Sequence, residues 1–157
     1  MPLLKAQYRF QTVLSITPEF LQNAGVKAIL IDADNTLSLH GSQEPHPGVV
    51  EWLRKIKENG IPLVIISNNE RERIEPFAQK LGLPFIEKSR KPLPSGFRKA
   101  CRMLGVSPSE TAVVGDQIFT DVLGGNLIGA TVILTEPLGP DTDKFIKAKR
   151  HLEKWVR

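Results

Sequence analysis

The chain has 157 residues, 41% of them hydrophobic and 24% charged, with one cysteine and a formal net charge of +4. That size and balance describe one globular domain with a core of its own, and they exclude a disulfide-built scaffold, a disordered polymer and any helix of the roughly 18 apolar residues needed to span a membrane. The basic excess favours anionic partners, but only 6% of residues are aromatic and none interleaves with an arginine-rich tract, so nucleic acid is not an expected partner.

The opening MPLLKAQYRF lacks the apolar centre of a signal peptide, which leads to an expected cytoplasmic location. Residues 1–16 read as an extended arm packed on the domain. In SITPEFLQNAG, Thr17 is the expected N-cap, Pro18 the first helical residue and Gly25 the stop. Val26 to Ile31 is apolar except for Lys27 and predicts a buried strand. PHPGVVEWLRKIKENG has Val49, Val50, Leu53 and Ile56 at helical spacing. IPLVIIS is a second strand, ERERIEPFAQKLG a helix with a kink or restart at Pro76, and LPFIEK a short strand. PSGFRKACRMLG is a helix with Phe97, Ala100, Cys101 and Leu104 on one face, which makes Cys101 core filler rather than a nucleophile. SPSE forms a helical turn or loop, TAVVGD a strand, 121–128 a short helix and ATVILT the last strand. Alternating apolar strands and helices predict a doubly wound α/β fold, a parallel sheet with helices on both faces. The expected organisation is a single domain, 1–157: an N-terminal arm and helix (1–25), a core (26–135) and a basic C-terminal helix (136–157).

Such folds bind ligands beyond the carboxyl ends of their strands. Asp32 and Asp34 follow the first buried strand, Ser67 and Asn68 the second, and Gly115 and Asp116 the fourth, with Asp121 five residues on. Each alone reads equally well as turn or cap chemistry, but the convergence of four segments does not. Carboxylates this close repel one another, and a hard divalent cation such as Mg²⁺ resolves the repulsion while leaving room for a phosphate. Phosphate in turn calls for a hydroxyl, free N–H groups and a fixed positive charge. Ser67, the loop after Asp32 and the lysines of EKSRKP offer these, with Lys91, which precedes Pro92 and the next helix, set against its rival Lys88.

These residues carry a resemblance. Asp32-Ala33-Asp34-Asn35-Thr36, Ser67, Lys91 and Gly115-Asp116…Asp121 resemble, in order, the four motifs of the haloacid dehalogenase-like phosphatases. SITPEFLQNAGVKAILIDADNTL, SNNERER, KSRKP and GDQIFTDVLGGN are similar to the YqeG branch of that superfamily, which includes phosphatidylglycerophosphate phosphatases. The resemblance implies that Asp32 is the nucleophile, forming an aspartyl-phosphate, and that Asp34 is the acid and base. Mg²⁺ is implied to lie on Asp32, the backbone carbonyl of Asp34 and Asp116, with Asp121 beside them or one layer out. Ser67 and Lys91 are implied to bind the phosphoryl oxygens. Asn68 and Asn69 either join them or close the turn, with Asn68 counted in the phosphate-binding set. Asn35 and Thr36 shape the loop, His40, His46 and His151 lie outside the constellation, and Gly124, Gly125 and Asn126 have no assigned task.

Neither SLHGSQEPHPGV nor the stretch from Ser67 to Lys91 has room for a cap domain, so an open site is expected, suited to a phosphorylated lipid. A soluble phosphoester or phosphoprotein is the alternative substrate. A receiver-type phosphoacceptor switch shares the sheet, the aspartates and the lysine, but has no need of an acid/base group at Asp34. The tail DKFIKAKRHLEKWVR is basic and amphipathic. It reads either as a helix docked on the sheet or, over residues 144–157, as a peripheral contact with anionic membrane.

Overall fold

The computed structural model describes residues 2–139 and 152–154. Six strands form one parallel sheet: β1 (Tyr8–Phe10), β2 (Ala28–Ile31), β3 (Leu63–Ile66), β4 (Phe85–Ile86), β5 (Thr111–Gly115) and β6 (Thr131–Thr135). Their spatial order is β1-β6-β5-β2-β3-β4. Five α-helices connect them: α1 (Pro18–Asn23), α2 (Val49–Glu58), α3 (Arg71–Leu81), α4 (Pro94–Leu104) and α5 (Leu123–Leu127).

Alternation along the strands divides the core in two. Ile29, Ile31, Leu63, Ile65, Ala112 and Val114 face one layer, which holds Leu21 of α1, Trp52, Leu53 and Ile56 of α2, and Ile74, Phe77 and Ala78 of α3. Leu30, Val64, Ile66 and Val113 point the other way, onto Phe97, Ala100 and Cys101 of α4. Because both faces are covered, every residue of β2, β3 and β5 is buried, which is why these strands read as unbroken apolar runs. Thr17 caps α1 as expected, its side chain accepting from the Phe20 N–H at 3.0 Å.

Three expectations are revised. The N-terminal arm is not merely packed on the domain: residues 8–10 add an edge strand, with Tyr8 level with Ile133 of β6. Pro76 does not restart α3, which runs unbroken through it, since its missing N–H would have served the exposed first turn, where water can take its place. The short helix expected over 121–128 begins earlier, as a π-helical turn, Ile118–Val122, that leads into α5. The tail expected to be helical over 136–157 lies outside the described residues, apart from 136–139 and 152–154.

The glycines left without a task are packing residues. A Cβ on Gly124 would stand 2.7 Å from Phe97 Cζ, and one on Gly125 would stand 2.7 Å from Val132 Cγ2 and 3.0 Å from Val113 Cβ. Asn126 Nδ2 donates to the carbonyls of Leu3 and Lys5 at 2.8 and 2.9 Å, tying the arm to α5. Gly125→Ala should therefore overpack the α5–sheet contact and cost about 1–3 kcal/mol, read as a lowered urea midpoint; an unchanged midpoint would mean that α5 has slack.

Candidate active site

After β2 the chain builds β3 and β4 on one side, then crosses back through α4 to lay β5 on the other side of β2. The carboxyl ends of β2 and β5 therefore form the switch point where doubly wound sheets hold ligands. Asp32 extends β2, its N–H donating to Val114 O at 3.0 Å, and Asp116 directly follows β5. Asp121 comes back to them on the π-helical turn. Each of these three carboxylates has an oxygen within 4.8 Å of the others. Gly115 makes the approach possible, because a Cβ there would sit 2.7 Å from Asp121 Cβ.

Lys91 closes the cluster. Its Nζ donates to Asp32 Oδ1 at 3.1 Å and to Asp121 Oδ1 at 2.7 Å, and its side chain is 4% exposed. Lys88 instead pairs with Glu70 on the surface, so of the two lysines Lys91 is the one in the cluster. Three carboxylates against one ammonium leave negative charge in excess. Burial, first of all, and then Asp121, Asp116 and Asp34 push the Asp32 carboxyl well above the usual carboxylate range, against the pull of Lys91. Burial lowers the affinity of Lys91 for its proton, but Asp121 and Asp32 outweigh it, so the ammonium is held more firmly than an ordinary lysine's. Hard oxygen donors with surplus charge fit a divalent cation.

Asp34 sits apart from this triad. Its Oδ1 accepts from Gly41 N at 2.7 Å and Arg73 Nη2 at 2.8 Å, and its Oδ2 accepts from Asn69 Nδ2. Desolvation raises its pKa, but Gly41, Arg73 and the more distant His40 charge together hold it below the usual carboxylate value. Asp34 thus contributes no carboxylate to the metal-type cluster. Thr36, expected only to shape the loop, also donates to Asp116 Oδ1 at 3.4 Å.

Asn68 is engaged by the chain itself. Both ends of its amide engage the lysine loop: Oδ1 accepts from Lys91 N at 2.7 Å and Ser89 Oγ at 3.1 Å, and Nδ2 donates to Lys91 O at 3.2 Å. It fixes the backbone that carries Lys91. Ser67 follows β3; its Oγ accepts from Asn69 N at 3.0 Å, which orients the hydroxyl and leaves its proton to donate.

Arg73 was missed in the sequence. It lies on α3, stacks over Phe77 with its guanidinium carbon 4.9 Å from the ring centroid, and joins Asp34 to Ser38 Oγ, the latter at 3.1 Å. The available signal was its place in the first turn of a helix starting just past a strand's carboxyl end, where a cation can reach the aspartates.

Among the described residues, the loop from Asp32 to Gly48 holds only isolated bridges, Asp34 with Ser38 and Ser38 with Pro45, so no cap covers the site.

The doubly wound parallel sheet with this carboxylate–lysine cluster is built to hold a phosphoryl group, and the chain belongs to the haloacid dehalogenase-like hydrolases, whose family pattern matches residues 9–129. It is a phosphatase of that family. It is similar to the probable phosphatase YqeG of Bacillus subtilis (strain 168), 38% identical over 93% of this chain and 85% of the relative. It is also similar to the chloroplastic/mitochondrial phosphatidylglycerophosphate phosphatase 1 of Arabidopsis thaliana, 27% identical over 88% of this chain. That alignment spans only 44% of the plant protein. Among solved structures, a HAD family hydrolase from Deinococcus radiodurans R1 with bound phosphate and sodium shares the fold, with a TM-score of 0.57 at 22% identity over 82% of this chain and 89% of that one.

Proposed function

We propose that the protein is a Mg²⁺-dependent phosphomonoesterase that works through an aspartyl-phosphate on Asp32, with phosphatidylglycerophosphate as its substrate. The observation that carries the chemistry is the buried cluster in which Lys91 bridges Asp32 and Asp121 while Asp116 stands within 4.8 Å of both. Asp32, Asp116 and Asp121 supply the carboxylates for the metal, and the backbone carbonyl of Asp34 completes the protein's share. Bound Mg²⁺ would neutralise charge on the transferring phosphoryl oxygens.

Asp32 attacks phosphorus, and the bond to the leaving alcohol breaks. Lys91 and the Ser67 hydroxyl hold the equatorial oxygens in line. The leaving oxygen takes a proton from Asp34, which then withdraws one from the water that cleaves the aspartyl-phosphate. Gly41, Arg73 and Asn69 all donate to Asp34 and favour its carboxylate form, so it takes up a proton before it can serve as an acid.

The lipid assignment rests on the relatives and on the absence, among the described residues, of a cap in the loop after Asp32. Leu39, in the loop after Asp34, is 51% exposed, and Leu93, two residues after Lys91, is 55% exposed. Exposed leucines in the segments that follow Asp34 and Lys91 suit a headgroup presented at an apolar surface. No helix among the described residues is long and apolar enough to cross a membrane, so the substrate would be met at the interface.

The test is phosphate release from phosphatidylglycerophosphate in mixed micelles with Mg²⁺, beside p-nitrophenyl phosphate and a panel of soluble phosphoesters. Turnover of the lipid should exceed that of every soluble ester at equal concentration. Release from soluble esters alone would keep the mechanism and remove the lipid.

A further inference from the structure

The turn Ile118–Val122 joins the two carboxylates that follow β5: Asp116 stands just before it and Asp121 within it. The first N–H groups of a helical segment have no preceding turn to accept them. Here one distant side chain takes two of them. Glu153 Oε1 accepts from Ile118 N at 2.8 Å and from Phe119 N at 3.4 Å. Glu153 is fully buried, whereas Leu152 is 58% exposed and Lys154 is exposed. A carboxylate is costly to bury unless donors meet it, and the two N–H groups of the turn are donors that meet this one.

We infer that Glu153 is a positioning residue for the metal centre: it fixes the turn from outside and thereby sets where the Asp121 carboxylate stands relative to Asp116. The inference rests on the proposed role of those carboxylates as metal ligands. The route from Glu153 to Asp121 is short and has no slack. Gln117 N, at the start of the turn, donates to Asp121 Oδ2 at 3.3 Å, and Lys91 holds Asp121 Oδ1 at 2.7 Å. Asp121 N in turn donates to Gln117 O at 2.9 Å, so a shift of the backbone at 117–119 is handed directly to Asp121. Asp121 also packs directly on Gly115, occupying the space a Cβ there would take, so its position is set by the backbone on both sides of the turn. Residues that orient metal ligands without touching the metal commonly change its affinity about 10–100-fold when removed.

The experiment is Mn²⁺ binding to the full chain, followed by the electron paramagnetic resonance signal of free Mn²⁺, alongside the Mg²⁺ dependence of p-nitrophenyl phosphate hydrolysis. Glu153→Ala should weaken Mn²⁺ binding about 10-fold or more and raise the half-saturating Mg²⁺ equally, while kcat at saturating Mg²⁺ changes only a few-fold. Glu153→Gln keeps an acceptor oxygen but loses the charge, and should fall between, roughly threefold weaker. Leu152→Ala, its exposed neighbour, should bind as the unaltered chain does. A folded Glu153→Ala protein that binds Mn²⁺ within about twofold of the unaltered chain overturns the inference. If Glu153→Ala does not fold, unchanged affinity in Glu153→Gln overturns it instead. An unaltered chain that binds no Mn²⁺ removes the metal reading itself, and this inference with it.

Discussion

Asp32→Asn should lower phosphate release by at least about 10⁴-fold while leaving the fold intact. Asn matches the shape of Asp but cannot form the acyl-phosphate bond, and Asp34 is turned toward Gly41, Arg73 and Asn69 rather than into the place of Asp32. The same substitution should stabilise the metal-free protein at neutral pH. The Asp32 carboxyl is pushed up by burial and by three other aspartates, so its ionised form opposes folding. The sign follows from linkage: a group whose folded pKa is raised favours the native state below its unfolded pKa and loses that contribution as pH rises through the folded value. The advantage of Asp32→Asn should therefore be greatest at neutral pH and shrink in acid, where Asp32 is itself protonated. Urea unfolding in chelator at neutral and acid pH checks it. A destabilised Asp32→Asn protein would mean that Lys91 depends on Asp32 more than on Asp121.

Lys91→Ala should have the opposite effect on stability. Removing the ammonium leaves Asp32 and Asp121 buried without the cation they share, and breaking a buried pair in this way costs about 3–5 kcal/mol. It should also slow turnover by about 10²–10³-fold, as the loss of one preorganised donor does. Saturating Mg²⁺ should restore part of the lost stability, since a second cation then meets the same carboxylates. Lys88→Ala is the comparison: both Lys88 and Glu70 are exposed, so little stability or activity should be lost. Urea midpoints with and without Mg²⁺ for the two variants separate the roles of these lysines.

The parts of this protein that were legible in its sequence are those where one physical demand dominates. A strand buried on both faces must be apolar throughout, so β2, β3 and β5 announced themselves, and the polar residues just beyond them marked the site. β1 was not legible, because Tyr8 and Arg9 are exposed and the strand is three residues long. The hold of Asn68 on the lysine loop was not legible, because an amide that binds a loop looks like any other until the loop is built. Arg73 was hidden among the charges of ERER, where only the pitch of α3 decides which one turns inward. Glu153 carried no local signal at all; its partners are 34 and 35 positions away.

The sheet order also governs how the protein is made. Only β2–β3, β3–β4 and β5–β6 join strands that are neighbours in sequence; β2 must wait for β5, and β1 for β6. During synthesis the first strand emerges more than a hundred residues before Ile133, the partner of Tyr8, and until then its backbone has no sheet to join. Long-range parallel pairing of this kind folds slowly and leaves unpaired edges open to other chains. The exposed, short and partly charged character of β1 is therefore protective: YRF can wait in water without becoming a nucleus for aggregation.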